Sequence, residues 1–221
     1  VNLPAPEHQG QRVVEGQRLL QTASDPFLGW CTNPAGDHIY VRHFRDWKAS
    51  VDVSQLDADG LNRLAGPVAQ SLGLSAAGWL QQRLGPTWIT PHPGEFARLF
   101  PELAQPGHDA TTAPEAAAAA ARSSGACVLL KGARSVVAAP DGRRWQLLEA
   151  APRSARAGLG DVLAGHTAGL GAIAMAATGE ADARWLAAAA LAHAQAGLQL
   201  SESGAGASSP MAVAQQLANL C

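Results

Sequence analysis

The chain reads GLGDVLAG over residues 158–165, a glycine-rich turn that leads directly into an apolar segment of helical character. The first N–H groups of a helix have no intrahelical partner and carry a partial positive charge, so such a turn is suited to binding an anion. Gly158 and Gly160 would let the backbone approach a phosphate closely. Asp161 would then lie beside that anion, where a carboxylate is useful if it accepts a substrate proton or holds a metal. Taken alone, the motif more often marks an ordinary loop with an acidic helix cap.

The composition of the 221-residue chain indicates one globular domain or slightly more. Hydrophobic residues make up 47% and charged residues 15%, which is enough apolar material for a sizeable core. The net charge of -2 gives no preference for nucleic acid or for an acidic membrane surface. The three cysteines lie far apart, which favours reduced thiols in a cytoplasmic protein over a disulfide framework or a metal motif. We expect neither a signal peptide nor a membrane span, because the apolar runs are broken by small or polar residues.

Strand and helix signals alternate around the glycine-rich turn, and this alternation predicts a layered α/β fold. The continuous apolar run ACVLL is typical of a central strand that is covered on both faces. The predicted strands are residues 87–90 and 126–130, with hairpins at 27–41 and, around Pro140-Asp141-Gly142, at 135–148; the predicted helices are 113–124, 160–177, 181–200 and 210–220, with a helical stretch at 66–84 that breaks near Gly73.

Residues with the chemistry of ligand-binding groups follow two of the predicted strands. The sequence PHPGE at 91–95 forms a strand-to-helix corner, the place where open α/β sheets bind their ligands. His92 in this corner is interpreted either as a ligand group or as a structural hydrogen-bonding residue, while Glu95 is a first-turn helix acid that needs no function. Lys131 and Gly132 follow the second strand, where a lysine can reach a phosphate as a point charge or can simply occupy a turn.

Two acids, Asp57 and Asp59, follow a further short apolar run and precede a helical stretch. Acids at the end of a strand can orient a metal-bound nucleotide, and they can equally cap a helix. With the glycine-rich turn, four groups of candidate residues therefore converge on one predicted site.

Four stretches together resemble the ADP- or ATP-dependent NAD(P)H-hydrate dehydratase family. They are LDADGLN at 56–62, ITPHPGEFARL at 89–99, LLKGARSVV at 129–137 and AGLGDVLAG at 157–165, and they agree with the family in order and spacing. The resemblance covers about residues 55–221. It implies a ribokinase-like α/β/α sandwich that repairs hydrated NADH and NADPH, with ADP or ATP as the phosphoryl donor and Mg²⁺ sharing the phosphate charge.

The resemblance also implies a role for each candidate residue. His92 would contact the hydrated dinucleotide. Asp161 would contact the hydrate and accept its hydroxyl proton, while the helix N-terminus neutralises the transferring phosphate. Leu159 departs from the family pattern, because a small hydroxyl residue is usual between the motif glycines. The residues that would contact the adenine nucleotide are Lys131, Gly132, Ala133, Arg134, Ser135, Gly158 and Gly160.

The first part of the chain resembles a different family. RVVEGQRLLQ at 12–21 and YVRHFRDWK at 40–48 are similar to part of a bacterial family of unknown function. We therefore predict a segment of separate origin at 1–52, and a partial dehydratase domain at 53–221 that lacks the family's N-terminal strands. Because such a sheet would expose an edge or an apolar face, we expect a homo-oligomer.

Two other functions are compatible with the same residues. A small-molecule kinase of this fold would share the nucleotide and acid chemistry, although His92 within PHPGE favours the dehydratase. A catalytically silent nucleotide-binding or interaction protein is favoured by the missing N-terminal strands.

Overall fold

The computed structural model describes residues 30–32, 38–40, 54–56, 58–66, 73–83, 85–104, 112–148, 157–202 and 209–220. Its strands are β1 (Trp30–Thr32), β2 (His38–Tyr40), β3 (Ser54–Leu56), β4 (Thr87–Ile89), β5 (Cys127–Leu130), β6 (Val136–Ala138) and β7 (Arg144–Gln146). Its helices are α1 (Ala58–Leu64), α2 (Ala76–Gln81), α3 (Pro93–Leu99), α4 (Ala113–Ser124), α5 (Leu159–Thr178), α6 (Ala183–Glu202) and α7 (Pro210–Leu220), with a 3₁₀ turn at Pro101–Leu103.

Five strands form one mixed sheet in the order β3-β4-β5-β6-β7. The first three strands run parallel, and β5, β6 and β7 pair antiparallel. β5 is therefore the central strand, as its continuous apolar sequence predicts. Burial raises the pKa of its Cys127 thiol to about 12, with smaller contributions from the charges of Asp182 and Asp141. That thiol stays protonated at neutral pH and is a poor nucleophile.

Helices cover both faces of the sheet, so the fold is the predicted α/β/α sandwich. Ile89, Val128 and Val136 point to one face, where they form a core with α1, α2, α3 and α4. The alternate residues Trp88 and Leu129 point to the other face and pack against α5 and α6. This alternation follows from the period of two along each strand.

A close contact between α5 and the sheet fixes the position of the longest described apolar helix. A Cβ at Gly171 would lie 2.9 Å from Cζ3 of Trp88, so the helix backbone rests on the indole ring. Trp88 is fully buried, and its Nε1 donates a hydrogen bond to the Ala181 carbonyl at 3.3 Å. One side chain of β4 thus holds both α5 and the turn that leads into α6.

The β6–β7 hairpin is tied to α6 by one guanidinium group. Arg143 donates from Nε to Asp141 Oδ2 at 2.8 Å and from Nη2 to Asp182 Oδ2 at 2.8 Å. These bonds lower the pKa of both carboxyl groups. The turn before Arg143 contains Gly142 with a φ of +93°, a backbone conformation that favours glycine.

The sequence-based element predictions are confirmed for the described residues, with shifts at several boundaries. Helix α4 has the predicted bounds and is capped by Thr112. The first hairpin exists as β1 and β2, but β1 starts at Trp30, the last residue of the predicted strand. Of the helical stretch predicted at 66–84, the described helix is the shorter α2, which begins after Ser75 accepts a hydrogen bond from the Gly78 N–H.

Helix α5 is long and apolar enough to cross a membrane by length and composition alone. It is the one such helix in the described ranges, and core helices pass the same test. Its buried residues include Leu163, Gly171 and Ala174, which lie on the sheet side, whereas Ile173 is 66% exposed. The small residues of this helix are therefore explained in part by its close contact with the sheet.

We predict that Gly171→Ala destabilises the protein by about 1–3 kcal/mol, the usual cost of overpacking a well-filled core. The added methyl group would overlap the buried ring of Trp88. Gly169→Ala is the matched control, because no atom lies within 4 Å of the added group on the same helix. The control should be neutral or stabilising by about 0.5–1 kcal/mol, since alanine favours helix over glycine. Urea unfolding measures both values, and equal effects of the two variants would contradict the proposed packing constraint.

Candidate active site

The corner between β4 and α3 places His92 at the end of the strand, as predicted. His92 has extended backbone angles and caps α3, with its Nδ1 accepting hydrogen bonds from the N–H groups of Gly94 at 3.0 Å and Glu95 at 3.2 Å. Because Nδ1 is an acceptor, the neutral imidazole carries its proton on Nε2. The side chain is still 51% exposed. His92 is thus a structural hydrogen-bonding residue whose ring remains open to a ligand, which combines the two interpretations made from the sequence.

Glu95 is the buried centre of this corner, with a side-chain exposure of 3%. Its Oε2 accepts a hydrogen bond from the His92 backbone N–H at 2.8 Å, which completes a reciprocal capping arrangement. Its Oε1 lies 3.4 Å from His92 Nε2, and its Oε2 lies 3.9 Å from Lys131 Nζ. The sequence interpretation, a first-turn acid that needs no function, missed these two side-chain contacts.

Lys131 follows β5 and lies beside the β4 corner. Its backbone N–H donates to the Pro91 carbonyl at 2.9 Å, so the ends of the two parallel strands are joined. The side chain is 23% exposed. In the turn that follows, Ser135 Oγ accepts a hydrogen bond from the Gly132 N–H and donates one to the Gly132 carbonyl, both at 3.3 Å. Gly132, Ala133 and Arg134 are exposed.

The glycine-rich turn forms the start of α5, also as predicted. Gly158 has a φ of +88° and occupies the N-cap position, where no side chain caps the helix. A Cβ there would lie 3.0 Å from Cγ of Pro210, so both backbone conformation and space favour glycine. Asp161 lies in the first helical turn and is exposed. The first N–H groups of that turn have no intrahelical partner, so they and the exposed Asp161 carboxylate lie together at one end of α5.

Leu159, the departure from the family pattern, has a structural role. Its side chain is 8% exposed and packs with Ala196, Val213 and Leu217 at the meeting point of α5, α6 and α7. A hydroxyl group at this position would be surrounded by apolar side chains. In place of a polar group near the helix start, Leu159 therefore provides an apolar side chain that packs α5 against α6 and α7.

Two histidines that the sequence analysis did not single out lie behind the site. The Nε2 atoms of His166 on α5 and His193 on α6 are buried and have no hydrogen-bond partner among the described residues. Burial lowers the pKa of both, and the pKa of His193 is lowered further by His166 and by Lys131, while a hydrogen bond with the Leu159 backbone raises it. His193 is thus hydrogen-bonded to the backbone at the start of α5 and is within electrostatic range of Lys131. Helical spacing was the sequence signal that could have identified His193. This residue lies three or four positions from Ala189, Ala190 and Ala196, which are on the buried face of α6.

The remaining candidate residues are less fully described. Asp57 lies outside the described residues. Asp59 is in the first turn of α1, but its side chain is not among those described. For these two acids, nucleotide binding and helix capping both stay predictions from the sequence.

Magnesium at a site of this kind can be held largely by the nucleotide phosphates. In the described ranges, no three His, Cys, Asp or Glu side chains cluster closely enough to hold a metal ion. In phosphoryl-transfer sites Mg²⁺ keeps several waters and binds one or two carboxylates plus the phosphates, so it needs no protein cage. Asp161, exposed in the first turn of α5, is a carboxylate that fits this limited role.

A family model described as NAD(P)H-hydrate dehydratase matches residues 31–219. The chain belongs to the NAD(P)H-hydrate dehydratase family. The resemblance carried by the four sequence motifs is thereby confirmed. The match begins inside the segment 1–52, for which a separate origin is predicted, and the boundary at residue 52 stays a prediction.

Two relatives in this family are bifunctional NAD(P)H-hydrate repair enzymes. The protein from Synechocystis is 45% identical over 148 residues, which is 66% of this chain and 25% of that protein. The protein from Gloeobacter violaceus is 48% identical over 110 residues, which is 50% of this chain and 19% of that protein. The chain therefore spans a quarter or less of the length of these relatives.

Solved structures confirm the ribokinase-like fold of this dehydratase-family chain. The ADP/ATP-dependent NAD(P)H-hydrate dehydratase from Bacillus subtilis, co-crystallized with ATP/Mg²⁺, has a TM-score of 0.58 at 24% identity and covers 76% of this chain and 54% of that one. A ribokinase-like superfamily protein from Enterococcus faecalis has a TM-score of 0.53 at 23% identity and covers 76% and 62%.

We predict that folding stability falls as the pH drops from about 7 to about 5. The pKa values of His166 and His193 in the folded protein lie below the usual 6.5, so below pH 6.5 the unfolded chain binds more protons than the folded one. The stabilisation is complete above pH 6.5 and is lost as the pH falls through the folded pKa values. Thermal unfolding across this range measures the slope, and His193→Gln should flatten it.

Asp182→Asn provides the control for that experiment. The pKa of Asp182 is lowered from 3.8, so its ionisation changes the stability only at about pH 4 and below. The slope between pH 7 and pH 5 should survive in this variant. A slope that is unchanged in His193→Gln would contradict the assignment to the buried histidines.

Proposed function

We propose that this chain catalyses the nucleotide-dependent dehydration of hydrated NADH and NADPH. Membership of the dehydratase family supports the proposal, and so does the arrangement of His92, Glu95 and Lys131 at one edge of the sheet. The observation that carries it is the chain of contacts from His92 through Glu95 to Lys131 at the ends of β4 and β5. His193, which is hydrogen-bonded to the Leu159 backbone and is influenced by the charge of Lys131, links this arrangement to the start of α5.

In the proposed reaction the hydroxyl oxygen of the hydrate attacks the terminal phosphorus of ADP or ATP. An O–P bond forms, the bond to the nucleotide's bridging oxygen breaks, and Asp161 accepts the hydroxyl proton. The ring C–O bond of the phosphate ester then breaks, and the departing phosphate takes up the proton lost from the neighbouring ring carbon, which restores the dihydropyridine. The exposed position of Asp161 in the first turn of α5 supports this role, since the reacting hydroxyl would lie beside the transferring phosphate.

The binding roles follow from the surroundings of each group. The N–H groups at the start of α5 would stabilise the developing phosphate charge, with Gly160 leaving space for it and Gly158 providing the left-handed backbone conformation of the turn. Lys131 and the exposed turn up to Ser135 would contact the adenine nucleotide. His92 would contact the hydrated dinucleotide through its exposed ring. When bound, Mg²⁺ would neutralise part of the phosphate charge.

We further propose that the protein acts in the cytoplasm, where its nicotinamide substrates would form, and that it assembles as a homo-oligomer. Exposed apolar side chains support the second point, since Ile173 on α5 is 66% and Met211 on α7 is 67% exposed. Sedimentation velocity should show a species of at least two chains. A single species of one chain's mass, 22.7 kDa, at micromolar concentration would contradict the oligomer.

We predict that Asp161→Asn lowers turnover of NADH hydrate by about 100-fold or more, the usual contribution of a general base. Adenine nucleotide binding should be largely retained, because the backbone of the α5 start is unchanged. The assay follows NADH absorbance after addition of NADH hydrate, Mg²⁺ and either ADP or ATP, and calorimetry measures nucleotide binding.

Glu180→Gln is the matched control for that assay, since Glu180 is an exposed acid just beyond the other end of α5. It should leave turnover unchanged. Loss of both turnover and nucleotide binding in a folded Asp161→Asn protein would contradict the role as base. A wild-type protein that binds nucleotide without any turnover would instead be a silent nucleotide-binding protein.

A further inference from the structure

The Glu95 carboxylate is buried between two groups that belong to different halves of the proposed site. His92 lies on the side of the hydrated dinucleotide, and Lys131 lies on the side of the adenine nucleotide. Glu95 Oε1 is 3.4 Å from His92 Nε2, and Glu95 Oε2 is 3.9 Å from Lys131 Nζ. Because its side chain is only 3% exposed, the Glu95 carboxylate interacts with these neighbours rather than with water.

Helix capping alone does not require a buried acid at this position. Helix α4 starts with the same reciprocal arrangement, in which Glu115 Oε2 accepts a hydrogen bond from the Thr112 N–H at 3.0 Å. Glu115 is exposed, and the bonds to Thr112 lower its pKa in the way expected of an ordinary cap. Glu95 therefore has a feature that Glu115 lacks, a buried contact with a cation from the next strand.

We propose that Glu95 is a positioning residue that couples occupancy of the nucleotide side of the site to the orientation of His92 on the hydrate side. This inference rests on the function proposed above. A phosphate that approaches Lys131 competes with Glu95 for the ammonium charge. The carboxylate is then free to accept a hydrogen bond from the Nε2–H of His92, which now lies 3.4 Å away, and to hold the imidazole in place. By linkage, hydrate bound at His92 strengthens nucleotide binding by the same factor.

The geometry of the corner makes His92 able to respond. Its Nδ1 is held by two backbone N–H groups, so Nε2 is the atom whose partner can change. Gly94 leaves the ring its space, because a Cβ at that position would lie 2.9 Å from His92 Cε1. The imidazole is thus anchored at one nitrogen and is sensitive to the Glu95 carboxylate at the other.

The test is an NMR titration of the full chain, ¹⁵N-labelled at histidine, with ADP and Mg²⁺. The chain has seven histidines, so the His92 signals are assigned by their loss in His92→Asn. In the wild type we expect signals of the Nε2–H tautomer that shift on addition of ADP. In Glu95→Gln the shift should be lost, although the amide oxygen can still cap α3. Glu115→Gln, the matched change at the other capping arrangement, should leave the shift intact.

A binding experiment gives the same coupling as a ratio of constants. Calorimetry would measure the affinity for NADH hydrate with and without a non-transferable ADP analogue. We expect the analogue to tighten hydrate binding by about 5-fold or more in the wild type and in Glu115→Gln, within the usual range for coupled sites. In Glu95→Gln the ratio should fall to about one.

The outcomes separate this inference from the function on which it rests. Failure of the wild type to bind ADP or ATP would overturn both; if it binds ATP alone, the titration uses ATP. Binding of ADP with an undiminished His92 shift in Glu95→Gln would overturn the coupling alone. If Glu95→Gln does not fold, Lys131→Met at saturating ADP replaces it: an unmoved His92 signal supports the coupling, and a wild-type shift overturns it.

Discussion

The contact between the backbone of Gly171 and the ring of Trp88 determines how closely α5 approaches the sheet. A side chain at that point would hold the helix away, because the distance to a Cβ is already only 2.9 Å. Trp88 is itself fixed by full burial and by its bond to the Ala181 carbonyl. The distance between the sheet and the first turn of α5, which carries Asp161, is therefore set by a packing contact about three helical turns away.

The candidate site is assembled largely from helix starts. His92 caps α3 with a side-chain nitrogen, and Gly158 begins α5 without any side-chain cap. The first arrangement uses its N–H groups internally, whereas the second leaves them available for an anion. Strands β4 and β5 bring the start of α3 and Lys131 to one edge, since parallel neighbours end on the same side.

Local patterns predicted the elements and most of the candidate residues. The glycine and proline signals located both corners, and the apolar run of β5 identified the central strand. The role of Glu95 could not be predicted in this way, because its cationic partner Lys131 is distant in sequence and is brought close only by the pairing of β4 with β5. The sequence presents Leu159 only as the loss of a hydroxyl group. Its packing role could not be predicted, because its neighbours Val213 and Leu217 lie on α7. The buried histidines have only helical spacing as a signal, which does not distinguish a core residue from a functional one.

The contact between Gly158 and Pro210 places the start of α7 against the glycine-rich turn that begins α5. Helix α7 contributes none of the candidate chemical groups, yet its first residue lies against the backbone conformation that opens α5. A deletion that removes the start of α7 would therefore leave the turn at Gly158 without this packing contact. The start of α7 is thus held in place by its contact with Gly158, although α7 supplies no residue to the candidate site.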